Sequence, residues 1–289
     1  DGTIAELFMY NAPINSTQRI IINNYLAAKY GSTLGANDIY TMDNPIMGDY
    51  DHEVAGIGRI SSTNTQTDSR GSAVVRINNA TGLGNNEFLI WGHDNGILGA
   101  WGSTDLPVGI EARWFRVWRV SEVNSGGGAV DVGNVDMTFD LTGQGPVTAS
   151  DLRLLVDNNN NGLFADDTPV PILASSVGGN LYRFAGVSQL THGKRFTLGT
   201  INYAQTPLPI ELLYFHAKAE RDRTVTLGWA TASEHDNSHF TIERSADALA
   251  WEALMDVPAV GNSTNTTIYT ETDRFPLAEL SYYRLRQVD

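Results

Sequence analysis

Apolar and polar positions alternate along this chain in short runs that end in Gly, Asn, Asp or Pro. A period of two marks strands with one buried face. It predicts strands over 53–60, 73–78, 87–92, 113–120, 136–141, 152–156, 181–186 and 195–200, with a further short strand over 4–10. A helical period appears once. Ile21, Ile22, Tyr25, Leu26 and Lys29 recur at helical spacing, with Asn15 or Ser16 able to cap the start and Gly31 placed to end it, so Ser16–Tyr30 reads as an amphipathic helix that packs through its Ile21/Tyr25 face on the first β-domain. A single helix argues against a doubly wound α/β fold, in which helices alternate with strands.

Pro207-Leu208-Pro209 favours an extended connector, so a linker is expected over 204–209. Strand patterns resume beyond it at 210–219, 224–230, 240–245, 251–257, 267–271 and 281–288, six strands without a helix. The fold class predicted is all-β: two tandem β-sandwich domains with one N-terminal amphipathic helix. Trp229, mid-strand, is expected in the core of the second sandwich. In Arg113-Trp114-Phe115-Arg116-Val117-Trp118-Arg119-Val120, alternation puts Trp114, Arg116 and Trp118 on one face, and Arg116 is expected to stack on the indoles.

Composition narrows the function classes. Asp plus Glu number 33 against 19 Lys plus Arg in 289 residues, a formal charge of −14. Such a chain is a poor partner for phosphate backbones, so no nucleic acid is expected. No run approaches the roughly 20 apolar residues of a membrane-spanning helix, and Asp1-Gly2-Thr3 does not start like a signal peptide. The absence of Cys removes disulfide frameworks, zinc–thiolate sites and a cysteine nucleophile. Few basic residues among many Asn, Thr, Ser and Gly favour a secreted or cell-surface location.

One stretch has metal-ligand spacing. Asp157, Asn159 and Asn161 stand at positions one, three and five of a loop, Gly162 stands at six for the sharp turn, and Leu163 offers its carbonyl at seven. This is the front half of an EF-hand-type calcium loop. Asp166 and Asp167 follow at ten and eleven, and Thr168 stands where Glu is usual. The expected cofactor is calcium, held by Asp157, Asn159, Asn161, Leu163 and Asp166 or Asp167. The same run also reads as an Asn/Gly hairpin loop, because both residue types tolerate positive φ.

No catalytic residues are assigned. Asp49, Asp51, His52 and Glu53 read as a solvated acidic loop, and His93, Asp94 and His192 as isolated loop residues. His235 and His239 have zinc-helix spacing in a turn-to-strand context. No nucleophile elbow or phosphate-binding glycine loop is present.

Four ordered blocks carry a resemblance: Leu208-Pro209-Ile210-Glu211-Leu212-Leu213, Leu227-Gly228-Trp229-Ala230-Thr231-Ala232-Ser233-Glu234, Phe240-Thr241-Ile242-Glu243-Arg244-Ser245 and Ser281-Tyr282-Tyr283-Arg284-Leu285-Arg286-Gln287-Val288-Asp289. Together they resemble the fibronectin-type-III-like module that precedes the sorting domain in type IX secretion cargo of Bacteroidetes. That resemblance implies a further strand after the Tyr-Tyr-Arg-Leu strand, which this chain lacks, leaving an open sheet edge at 240–245 or 281–288. Ile4-Ala5-Glu6-Leu7-Phe8-Met9-Tyr10 and the helix ending Tyr25-Leu26-Ala27-Ala28-Lys29-Tyr30-Gly31 are similar to the tail of a concanavalin- or laminin-G-like lectin domain. Val54-Ala55-Gly56-Ile57-Gly58-Arg59 and Trp91-Gly92 are similar to an uncharacterised β-domain that follows such lectins.

The resulting domain expectation is a lectin-like tail over 1–34, a β-sandwich over 35–203 with the candidate calcium loop, a linker over 204–209, and a sandwich over 210–289. The function expected is a non-catalytic extracellular structural or adhesin-like component of a larger exported protein. It would meet other domains of that protein, neighbouring copies or surface glycans. The alternative is a pair of accessory β-domains of a secreted hydrolase or glycan-binding protein.

Overall fold

The computed structural model describes residues 6–71, 74–142, 144, 147–203, 212–231, 234, 237–261, 263, 266–278 and 280–288. The chain divides into two compact units, Asp1–Thr206 and Pro207–Asp289. The expected connector at 204–209 lies outside the described residues.

In the first unit, helix α1 runs over Ser16–Tyr30. Asn15 is the cap. Its side chain accepts the Gln18 N–H while Gln18 accepts the Asn15 N–H, a capping box. Gly31 ends the helix in the left-handed region at φ 60°. The buried stripe contains Thr17, Ile20, Ile21, Asn24, Ala27 and Ala28, so two polar residues share the docking face. Asn24 holds the segment that follows: its Oδ1 accepts Ile39 N–H at 3.0 Å and Tyr40 N–H at 2.9 Å, and its Nδ2 donates to the Asn37 carbonyl at 2.8 Å.

Thirteen strands follow: β1 (His52–Ser61), β2 (Asn64–Gln66), β3 (Asp68–Gly71), β4 (Val75–Asn78), β5 (Glu87–His93), β6 (Trp101–Gly102), β7 (Ala112–Trp114), β8 (Trp118–Asn124), β9 (Val135–Asp140), β10 (Leu152–Asp157), β11 (Ser175–Gly178), β12 (Leu181–Val187) and β13 (Arg195–Thr200). One sheet has the order β2-β1-β5-β8-β13-β7-β6, with β10 also paired to β13; the other is β11-β12-β9-β4-β3. Every strand pairing among the described residues is antiparallel. The sheets meet through aromatic rings. Phe139 of β9 lies 6.0 Å from Trp114 and 6.4 Å from Phe196, and Trp118 stacks on Phe196 at 5.6 Å with planes 12° apart. Edge-on and offset rings of this kind add to the area they bury.

The opposite face of the large sheet is covered by α1 and the 39–54 segment, where Ile20, Ile21, Ile39, Tyr40, Tyr50, Phe88 and Ile90 form one buried cluster. Backbone comes close here: a Cβ on Gly92 would lie 2.4 Å from the Tyr50 carbonyl, which also accepts the Tyr40 hydroxyl at 2.6 Å.

Three expectations are corrected in this unit. The strand over 4–10 does not form in residues 6–10; Phe8 packs edge-on against Tyr25 at 6.0 Å and Glu6 pairs with Lys29 at 2.9 Å. The strand over 113–120 is broken into β7 and β8, because β13 pairs with β7 through Gly199 and Thr200 and with β8 through Arg195 and Phe196. Trp114 and Trp118 remain neighbours, centroids 6.0 Å apart. Arg116 does not stack on them. It sits in the break, donates from Nε to the Gly96 carbonyl at 2.8 Å, and approaches Glu53 at 3.8 Å.

The second unit holds β14 (Leu212–Ala219), β15 (Val225–Thr231), β16 (His239–Ser245), β17 (Glu252–Pro258), β18 (Thr267–Asp273) and β19 (Tyr282–Val288). They form two three-stranded sheets, β14-β15-β18 and β17-β16-β19. Trp229 is fully buried between them, stacked on Tyr269 at 5.1 Å and edge-on to Phe240 at 5.6 Å. Glu234, from the Thr-Ala-Ser-Glu block, is buried and hydrogen-bonded: its carboxylate accepts the Thr231 hydroxyl and the Tyr269 hydroxyl, each at 2.7 Å, and the Val260 N–H at 3.1 Å. Burial, with the Glu234 hydrogen bond second, pushes the Tyr269 phenol up to about 12. The expected open edge at 240–245 is corrected. That segment is β16, flanked by β17 and β19, whereas among the described residues β19 pairs with β16 alone.

Candidate metal loop and neighbouring polar centres

The loop 157–167 leaves the last residue of β10, where pairing of Asp157 with Arg195 of β13 ends the ladder. Asp157 is fully buried. Its carboxylate accepts the Asn161 N–H at 3.2 Å and the Gly162 N–H at 2.9 Å, so the loop turns around it. Asn159 Oδ1 accepts the Asn161 N–H at 2.9 Å, and Asn161 Oδ1 accepts the Leu163 N–H at 2.8 Å. Each odd-numbered side chain thus caps a backbone donor two to five residues ahead, the habit of Asx turns. Asn160 and Gly162 take the left-handed region at φ 59° and 94°.

Of the six residues singled out by spacing, Asn159, Asn161 and Asp166 converge: Asp166 Oδ2 accepts from Asn159 Nδ2 at 2.9 Å and from Asn161 Nδ2 at 2.8 Å. Asp167 turns elsewhere, accepting the Asn158 N–H at 3.2 Å. The side chain of Leu163 is exposed.

Residues distant in sequence complete the loop. Arg195 Nε lies 3.6 Å from Asp157 Oδ2, and its guanidinium lies so close to Gly162 that a Cβ there would meet Nη1 at 2.7 Å. Lys194 donates to the Asn158 carbonyl. Asp105 holds the far side, accepting Phe164 N–H at 2.8 Å and Ala165 N–H at 2.9 Å while pairing with Arg113 at 3.1 Å. Local pattern gives no sign of Asp105, which lies 59 residues from Phe164.

The donor set is all oxygen, which suits a hard cation. Each Asp157 oxygen keeps acceptor capacity beyond its one N–H bond. Among the described residues no three His, Asp or Glu side chains form a metal-holding cluster, so a cation here would depend on the Asn oxygens and the Leu163 carbonyl.

Two further polar centres lie in this unit. Glu53 and His93, read as separate loop residues, meet: His93 Nε2 is 2.9 Å from Glu53 Oε2, and His93 Nδ1 accepts the Asn95 N–H at 3.0 Å, which places the ring proton on Nε2. Glu53 sits at φ 49° where the β1–β5 register slips, and His52 stacks on His93 at 5.7 Å. Burial, ahead of the opposing Glu53 bond, lowers the His93 pKa. With both nitrogens engaged, this pair fastens the bulge. The other centre is Glu122 of β8. Its Oε1 accepts the Val132 N–H at 2.7 Å, whereas Oε2 is buried without a hydrogen-bond partner. Burial pushes this carboxyl up to about 7. His235 lies outside the described residues, and His239 starts β16 with Nε2 3.8 Å from Asp256.

The first unit is thus an all-β body with one docked helix and its polar chemistry at strand ends. The chain belongs to the family described as Domain of unknown function (DUF8202), whose model matches residues 18–193. No curated protein matches the chain.

Proposed function

We propose that this chain is a non-catalytic, extracellular structural or adhesin-like part of a larger exported protein, of the kind that Bacteroidetes send out by type IX secretion. In this reading it meets other domains of that protein, or neighbouring copies, through exposed sheet edges. The observation that carries the proposal is β19. Among the described residues it is paired on one side only, and it alternates exposed Tyr282, Arg284 and Arg286 with half-buried Tyr283 and Leu285. Such a strand offers a row of backbone donors and acceptors to an added strand, and pockets for alternate side chains give register. The acidic composition and the four sequence blocks of residues 208–289 support the extracellular setting.

Calcium belongs to the same reading. Asp157, Asn159, Asn161, the Leu163 carbonyl and Asp166 would hold it, with Asp167 beside them. The ion would supply a fixed positive charge that stiffens the loop. The chain's own part is to hold the turn, through Asp157 on the Asn161 and Gly162 amides and Asp105 on Phe164 and Ala165.

The edge is tested by sedimentation of the whole chain over a wide concentration range, alongside single prolines at Arg284 and Leu285. One of these removes an outward N–H and the other a bond to β16, so one variant keeps its fold. Self-association of the unaltered chain that is lost in the folded proline variant is the expected result. A monomer throughout, or association indifferent to both prolines, overturns the reading.

A further inference from the structure

The outer face of the five-stranded sheet carries a row of cations that the chain's acidity makes conspicuous. Register places them: Ser175 of β11 opposes Arg183 of β12, Arg183 opposes Thr138 of β9, Thr138 opposes Arg76 of β4, and Arg76 opposes Arg70 of β3. Three of the 19 basic residues of a −14 chain therefore lie in one line across four strands. Like charges directly opposite each other destabilise a sheet. Arg70 and Arg76 are compensated: Arg70 pairs with Asp140, and Arg76 donates from Nε to Asp68 at 2.7 Å. Arg183 is exposed and makes no side-chain hydrogen bond or ion pair among the described residues.

The row is also notched. Thr138 is short and buried, and it stands between the two long arginines Arg76 and Arg183, which are two strand spacings or roughly 10 Å apart at the backbone. A cavity of about 180 Å³ opens there, lined on its polar side by the three arginines, Thr138, Asn78 and Asp140. The width suits one sugar ring.

We infer that this notch binds a carboxylate-bearing sugar unit, a uronic acid of an acidic glycan, with its carboxylate on Arg183 and its hydroxyls on Asp140, Asn78 and Thr138. The mixture of charges selects that class. A guanidinium without a partner matches a planar carboxylate in a charge-assisted, two-pronged bond. The Asp140 carboxylate only accepts hydrogen bonds, so it suits a ligand that brings hydroxyl donors. Inorganic sulfate brings none at neutral pH, a phosphate brings its one or two on the charged group itself, and both anions are repelled by Asp140 and Asp68. The inference stands apart from edge assembly and from the calcium loop, neither of which uses these residues.

The test is an amide-shift NMR titration of the whole chain with digalacturonate, run beside neutral digalactose, inorganic sulfate and a tetraglutamate peptide. Arg183→Gln removes the unpaired cation, and Arg19→Gln, on the exposed side of α1, makes the same charge change elsewhere. The expected result is saturable shifts confined to β4, β9 and β12 with digalacturonate. Affinity should fall at least about tenfold in Arg183→Gln, the scale of one charge-assisted bond, and hold in Arg19→Gln. Equal weakening by both substitutions, or shifts scattered over the surface, would reduce the effect to bulk charge and overturn the site. Sulfate or tetraglutamate binding as well as digalacturonate, or no binding of digalacturonate, overturns it equally.

Discussion

Thr17 and Asn64 join the helix to the sheet. The Thr17 hydroxyl donates to the Asn64 carbonyl at 2.6 Å and accepts the Ile60 N–H at 3.1 Å, so the first turn of α1 closes the mouth of the β1–β2 hairpin. The hydroxyl is fully buried. A helix of this length is marginal alone in water, so its order comes from contacts of this kind.

Thr17→Val keeps the shape and removes both bonds, leaving a donor and an acceptor of the backbone unsatisfied. The expected cost to the first unit is about 2–4 kcal/mol, one to two kcal/mol or more per orphaned group. Hydrogen exchange at the Ile60 amide should accelerate by a corresponding factor. Exchange unchanged at Ile60 would mean that the hydroxyl does not carry the docking.

Trp229→Ala should destabilise the second unit by about 3–5 kcal/mol, as large aromatic truncations in closed cores do. Its indole nitrogen is buried without a hydrogen-bond partner. Trp229→Phe should therefore be milder than the loss of ring area alone suggests, since it also removes an unsatisfied donor. Chemical denaturation followed by the amide signals of β15 and β16 measures both, and a cost below about 1 kcal/mol for the alanine variant would contradict the core assignment.

Glu122 predicts a pH dependence of opposite sign to that of a salt-bridged carboxylate. Its folded pKa of about 7 lies above the ordinary 4.5, so the folded state holds the proton more tightly. The stability this contributes is complete below pH 4.5 and is lost as pH rises through 7. Glu122→Gln cannot ionise, and its melting temperature should fall less than that of the unaltered chain between pH 5 and 8.5. Parallel melting curves for the two proteins across that range would show that Glu122 does not titrate there.

The calcium loop needs a variant that separates metal from scaffold. Asp157→Ala removes the acceptor of two loop amides and leaves Arg195 facing nothing, so it should destabilise the loop with or without calcium. Asp166→Asn keeps the shape and deletes a charge. Calcium at millimolar concentration should raise the melting temperature of the unaltered chain over excess chelator, by mass action on the folded state. The increment should vanish in Asp166→Asn, while melting in chelator stays close to that of the unaltered chain. An unaltered chain that melts identically with calcium and with chelator leaves the loop an Asn/Gly turn.

How far the sequence reached follows from what local pattern can encode. Ser16–Tyr30 was legible because cap, apolar spacing and terminal glycine all sit within the element. Thr17 and Asn24, polar residues in its buried stripe, were not, because their partners Asn64 and Tyr40 belong to other segments. Alternation across 113–120 suggested one strand. The break at 115–117 is set by a neighbour, β13, that changes partner along its length. The edge expected at 240–245 or 281–288 followed from the further strand that the resemblance implies, and neither that nor alternation could tell which of the two segments is central, because strand order is set by pairing partners far apart in sequence. In the metal loop, Asp157, Asn159 and Asn161 were legible from spacing, whereas Arg195, Lys194 and Asp105 came to it through strand pairing and a distant turn. The arginine row was invisible for the same reason: Arg70, Arg76 and Arg183 become neighbours only through register.

Strand β13 is the last of the first unit, and the chain leaves its Thr200 end toward the second. It is bonded along one flank by β10 and along the other by β7 and β8 in succession. Tension applied to the chain beyond Thr200 therefore reaches the first unit at an interior strand. Pulled along its own axis, that strand resists in shear, with both rows of hydrogen bonds loaded together instead of parting one at a time like a zip.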